Sequence, residues 1–163
     1  MLASEGGAEI HSLMSSMEAR DVQWGDLIVE CRRHAGIVIT GHGMDFNLSV
    51  LGDSGQPGPG MFPGMSLFRI FKEALTNAVK HSGASRIEAF MDFTPASFRM
   101  TVRDNGRGMG ATQGTGRGFP NMAARIRELG GTMTCRSEQG AELVFEVPLP
   151  LPDGTNLGKE DRS

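Results

Sequence analysis

Two rhythms organise the apolar residues of this chain. Leu67, Ile70, Phe71, Ala74, Leu75 and Ala78 recur at helical spacing and make one buried stripe. They predict a helix over 63–81, stopped by Ser82-Gly83. Ile10, Leu13, Met14 and Met17 repeat that spacing over 9–20. Leu27, Ile28 and Cys31 repeat it over 24–34, with Gly36 as the stop. A further helix is predicted over 119–129, burying Met122, Ile126 and Leu129 ahead of Gly130-Gly131.

The second rhythm has a period of two. Phe46, Leu48 and Val50 alternate with polar neighbours over 44–51. Ile87, Ala89, Met91 and Phe93 do so over 85–93, and Phe98, Met100 and Val102 over 97–103. Thr94-Pro95-Ala96 between these two runs predicts a hairpin. Residues 132–137 and 142–147 make a closing pair, and the apolar run 36–41 reads as one more short strand. The glycine- and proline-rich stretch 52–60 is a loop. The sum is an α+β fold: a two-layer sandwich whose mixed sheet is covered on one face by helices.

Composition narrows the function classes. With 163 residues there is room for one sizeable core. Sixteen basic against 19 acidic residues leave a net charge of −3, so no basic footprint points to nucleic acid. There is no apolar run of about 18 residues and no secretory leader is expected at Met1, so this stretch should not contact a membrane directly. Cys31 and Cys135 stand in no metal or redox spacing and read as reduced thiols of a cytoplasmic protein.

Chemistry enters with the polar edge of the 63–81 helix. Glu73, Asn77 and Lys80 fall within an arc of about 60° at 100° per residue. A carboxylate, an amide oxygen and an ammonium aimed together suit a magnesium-bound phosphate, although a solvated helix edge has the same composition. Gly116-Arg117-Gly118 opens the next helix, where backbone amides and the helix dipole can cradle a phosphate; a plain turn also uses such glycines. Asp104 ends a strand beside Asn105-Gly106, where it can accept an amino group's hydrogen bond or close an Asx turn. Neither a P-loop nor a dinucleotide-binding glycine fingerprint is present.

Taken in order, these stretches resemble the ATP-binding catalytic domain of sensor histidine kinases, in the superfamily of gyrase, Hsp90 and MutL. Residues 73–82 look like the asparagine box and Asp104-Asn105-Gly106-Arg107-Gly108-Met109 like the first glycine box. Gly116-Arg117-Gly118-Phe119-Pro120-Asn121-Met122, followed by Arg125, looks like the second glycine box in its nitrate- and nitrite-sensor form. Residues 130–148 look like the closing strands. The resemblance implies ATP and Mg2+ as cofactors, with Asn77 as metal ligand and Glu73 as the catalytic residue that polarises the attacking group. Lys80 and His81 would contact phosphate, and Asp104 would hold the adenine amine with Gly106, Gly108 and Met109 beside the base. Gly116, Arg117, Gly118 and Phe119 would line the phosphates, with 109–115 as a short lid. Two features depart from the family pattern: Gly140-Ala141 lacks a threonine hydroxyl, and Arg117 and Phe119 replace leucines.

The implied activity is transfer of the γ-phosphoryl group to a histidine on a separate dimerisation domain, which then serves a response regulator. Residues 1–22 are expected to be the remnant of that preceding domain and its linker, 23–150 the catalytic domain, and 151–163 a disordered tail. His11 does not sit in a phosphoacceptor motif and reads as a surface histidine. The parent protein can be membrane-anchored, and the domain is expected to be monomeric. Two alternatives share the fold: a serine kinase of the anti-sigma-factor type, and a nucleotide-binding regulatory module without catalysis.

Overall fold

The computed structural model describes residues 22–53, 57–108 and 118–152. The expected 9–20 helix, His11, the 109–115 lid, Met109, Gly116, Arg117 and the tail from 153 lie outside the described residues. Three helices and five strands follow in order: α1 (Trp24–Thr40), β1 (Asp45–Leu51), α2 (Met61–His81), β2 (Arg86–Phe93), β3 (Ser97–Asp104), α3 (Gly118–Glu128), β4 (Thr132–Glu138) and β5 (Gly140–Pro148).

The strands form a single sheet in the order β1-β2-β3-β5-β4. β1 runs parallel to β2, joined by the α2 crossover, and the other pairs are antiparallel. The sheet is therefore mixed. Alternation decides its two faces. Ile87, Ala89, Met91, Phe98, Met100, Val102, Leu143, Phe145 and Val147 are buried beneath the helices. The opposite face carries ion pairs, Arg99 to Glu146 at 3.1 Å and Arg103 to Glu88. This is the expected two-layer arrangement, with helices on one side only.

α2 is the central helix of the covering layer and packs on both α1 and α3. Its stripe of Leu67, Ile70, Phe71, Ala74, Leu75 and Ala78 is buried, as the spacing predicts. Pro63 falls in its first turn, where a missing N–H costs nothing. At the start of α1, Trp24 stacks near Phe93 and Phe98, with centroids 5.1 and 4.8 Å away.

The expected strand over 36–41 is not formed. Those residues extend α1 to Thr40. A strand would put Ile37 and Ile39 on one face; instead Ile37 is 59% exposed and Ile39 6%. The helical stripe Leu27, Cys31, Ala35, Ile39 simply continues, and burial against the rest of the core outweighs the strand preference of the β-branched run. Burial also pushes the Cys31 thiol well above its ordinary value of 9.0, with the neighbouring Glu30 charge adding to the effect.

Candidate functional site

Three elements converge on one cavity. The polar edge of α2 contributes Asn77, with Ala74 and Ala78 one turn apart beside it. β3 and the loop after it contribute Val102, Asp104 and Gly108; α3 contributes Phe119; β5 contributes Ala141 and Leu143. The cavity is tight, about 20 Å³, room for about one water, so its walls must part to admit a larger ligand. Its walls are apolar, and Val102 and Leu143 are direct partners in the β3–β5 register. Asn77, Ser82 and Asp104 are the polar side chains among its lining residues.

The loop carrying Asp104 is tightly fixed. Asn105 Oδ1 accepts from the backbone amides of Ser85 and Arg86 at 3.0 and 2.9 Å. The Arg107 amide donates to Ser82 O at 2.9 Å, tying the loop to the end of α2. Gly106 makes that approach possible: a Cβ there would lie 2.1 Å from Ser82 O. Asp104 itself is buried, and its Oδ1 accepts from the Gly106 and Ala141 amides at 2.9 and 3.3 Å. Among the described residues, Oδ2 accepts no hydrogen bond. A carboxylate held by one oxygen in this way has acceptor capacity left on the other.

Glu73 lies one turn before Asn77 and is half-buried. It lines a neighbouring recess, together with Arg69, Lys72, Asn121, Met122 and Arg125. A Cβ on Gly118 would fall 2.3 Å from Glu73 Oε1, so the absent side chain is what lets α3 begin against this carboxylate. Lys80 and His81 are exposed at the end of α2 and do not line the cavity. The predicted α2 residues thus divide: Asn77 faces the cavity, Glu73 the adjoining recess, Lys80 and His81 the solvent. Sequence reasoning missed Asn105 as the residue that anchors the loop, and Ala141 as the donor that holds Asp104. Their signals, an Asx turn and a glycine-led strand, are local, whereas both bonds reach across the fold.

Among the described residues no three His, Cys, Asp or Glu side chains gather as a metal cluster. A magnesium ion brought in on a triphosphate suits such a site, because it needs few protein oxygens. The Asn77 amide at the cavity wall is one. The described residues also include no helix long and apolar enough to cross a membrane.

The fold has known counterparts. The chain belongs to the histidine kinase-, DNA gyrase B- and HSP90-like ATPase family, whose sequence profile matches residues 64–152. Fold, cavity and family together define an ATP-binding catalytic domain of the sensor-histidine-kinase class. Over 100 residues the chain is 33% identical to the sensor histidine kinase LiaS of Bacillus subtilis, covering 60% of this chain and 28% of that protein. It is 32% identical over 121 residues to sensor histidine kinase YxjM of the same organism, covering 73% and 29%. The chain therefore spans under a third of the length of these curated relatives. Its fold matches the histidine kinase domain of the blue-light activated histidine kinase from Erythrobacter litoralis EL346, with a TM-score of 0.63, 19% identity, and coverage of 86% and 70% of the two chains.

Proposed function

We propose that the domain holds Mg-ATP in the cavity and delivers its γ-phosphoryl group to a histidine on a separate dimerisation domain. The observation that carries this proposal is that Asn77 and Asp104, from different motifs and different elements, line one cavity. Asp104 Oδ2 accepts the adenine amine, and Val102 and Leu143, side by side on the sheet, form the floor under the base. Gly106 and Gly108 allow close approach, with Met109 beside them. The triphosphate runs from there along α2 toward Asn77. Asn77 holds the magnesium ion, which when bound neutralises charge on the phosphate oxygens. Gly116, Arg117, Gly118 and Phe119 border the phosphates, and Lys80 with its charge and His81 with its ring N–H reach phosphate oxygens.

Glu73 lies one turn before Asn77 on α2, and in this reading the γ-phosphate ends beside it. Its carboxylate accepts a proton or hydrogen bond from the acceptor imidazole as the ring nitrogen attacks the γ-phosphorus. The bond from that phosphorus to the bridging oxygen breaks, and ADP leaves. The phosphohistidine then serves a response regulator. We assign residues 23–150 to this catalytic unit and 1–22 to the end of the preceding domain. The second glycine box, through Asn121, Met122 and Arg125, is what supports our reading of the chain as related to the nitrate- and nitrite-sensor subgroup.

Incubation with γ-labelled ATP and a histidine-bearing dimerisation domain tests this directly. Acid-labile label on the acceptor is expected. Acid-stable label would make the domain a serine kinase. Failure to bind nucleotide at all would remove the proposal.

A further inference from the structure

The sheet has two edges, β1 and β4, and they are built differently. β4 carries Arg136 and Glu138, the kind of charged side chain that keeps an edge from pairing. β1 reads Asp45-Phe46-Asn47-Leu48-Ser49-Val50-Leu51: no proline, and one charge, at its first residue. Val50 and Leu51 are 36% and 60% exposed. Two hydrogen bonds fix which backbone groups of β1 face outward. The Asp45 amide donates to Ser85 O at 2.9 Å, on the β2 side. Arg32 Nη2, reaching from α1, donates to Leu48 O at 3.2 Å, on the open side. Orientation alternates along a strand, so Phe46, Leu48 and Val50 turn their N–H and C=O groups away from β2. Among the described residues, Arg32 is the one partner that side of the strand has. A carbonyl has two lone pairs, so Leu48 O can still accept another bond.

Beside this edge, α1 and β1 leave a groove of about 580 Å³. Arg32, Gly36 and Thr40 line it from α1, and Phe46 and Leu48 from β1. Those three α1 residues follow Val29, 62% exposed, at i+3, i+7 and i+11, so α1 presents a second stripe next to its buried one. An added Cβ on Gly36 would meet nothing within 4 Å, which leaves room for another helix. The strand itself is self-complementary. Laid antiparallel on an identical strand and centred on Leu48, it sets Leu48 against Leu48 and Phe46 against Val50, and each pair exchanges both backbone hydrogen bonds. Phe46 with Val50 is an aromatic–β-branched pair; Asn47 faces Ser49 and Asp45 faces Leu51, so no like charges meet. Opposed residues share a face, so both helix layers lie on one side of the joined sheet and α1 meets α1 over the groove.

From this parity, register and groove we infer that the β1 edge docks a second copy of this chain, β1 against β1, joining the two sheets into one. A strand edge alone falls short of the roughly 1,200 Å² that a stable interface buries, so the Val29–Arg32–Gly36–Thr40 stripe of α1 is the other half of the contact. The groove shares no lining residue with the nucleotide cavity, so the inference goes beyond the kinase proposal and does not depend on it.

Sedimentation equilibrium on the full chain, over about three decades of concentration, reads the association. Wild type is expected to form a reversible dimer. Asn47→Asp/Ser49→Asp sets aspartates opposite one another across the pair and should weaken the dimer about tenfold or more. Asn47→Lys/Ser49→Asp sets a lysine against an aspartate in the same register and should bind within about threefold of wild type. Val50→Pro removes an outward N–H that no bond within the chain uses, so it should also cost the dimer about tenfold or more. The two double variants change polar side chains on the solvent face of the sheet and should melt near wild type, which keeps the result readable if the proline variant unfolds. A wild type that stays monomeric throughout, a dimer untouched by Asn47→Asp/Ser49→Asp, or equal weakening by both double variants would each overturn the inference. So would open-ended association in place of a dimer, because an edge paired in this way has no further edge of its kind to offer.

Discussion

At the scale of single residues, the site depends on what each atom is already bonded to. Asp104 has one oxygen engaged by the Gly106 and Ala141 amides. Asp104→Ala strands both amides and should cost about 1–3 kcal/mol of stability. Asp104→Asn keeps a carbonyl oxygen for them, so it should melt near wild type. It then presents an amide NH2 to the adenine amine, donor against donor, and ATP affinity should fall about tenfold or more. Calorimetric melting beside an ATP titration checks both; an Asn variant with full ATP affinity would remove Asp104 from base recognition. Two glycines make a second contrast. A Cβ on Gly106 meets backbone at Ser82 O, which cannot yield, so Gly106→Ala should cost more than about 2 kcal/mol. A Cβ on Gly118 meets only the Glu73 carboxylate, which can swing away. Gly118→Ala should stay within about 1 kcal/mol of wild type by urea unfolding while phosphoryl transfer drops, because the displaced group is the proposed base. Full transfer by that variant would contradict the role given to Glu73. Most of these residues were legible in the sequence. The contact between Gly118 and Glu73 was not, because it joins two motifs that only the packing of α2 on α3 brings together.

At the scale of elements, α1 shows how local preference is overruled. Ile37-Val38-Ile39 is a β-branched run bounded by glycines, and on its own it reads as a strand. The stripe through Cys31, Ala35 and Ile39 carries the helix past Gly36 instead. Gly36 is thus a mid-helix glycine on the exposed side, with nothing within 4 Å of an added Cβ. Gly36→Ala should raise stability by about 0.5–1 kcal/mol, read as a higher urea midpoint with unchanged slope. A destabilised variant would contradict the extended helix. The other elements were visible because each keeps one strict period. α2 shows helical spacing over its whole length, and β2 and β3 alternate without interruption on either side of Thr94-Pro95-Ala96. Their ends differ from expectation by one or two residues, as fraying and capping would give.

At the scale of the whole molecule, the sheet order and the parallel pairing of β1 with β2 could not be read from alternation, which fixes faces but not neighbours. What this topology accomplishes is to set the end of β3 and the start of β5 against α2. Asp104 and Asn77, separate in sequence, then bound the same space. The account stands on that single space accepting one nucleotide from base to metal. Calorimetric titration of ATP into wild type and Asn77→Ala, each with magnesium and with EDTA, measures it most directly. Wild type should bind far more tightly with magnesium, and Asn77→Ala should bind equally weakly in both conditions. An Asn77→Ala protein that retains wild-type affinity and the same magnesium dependence would contradict the account.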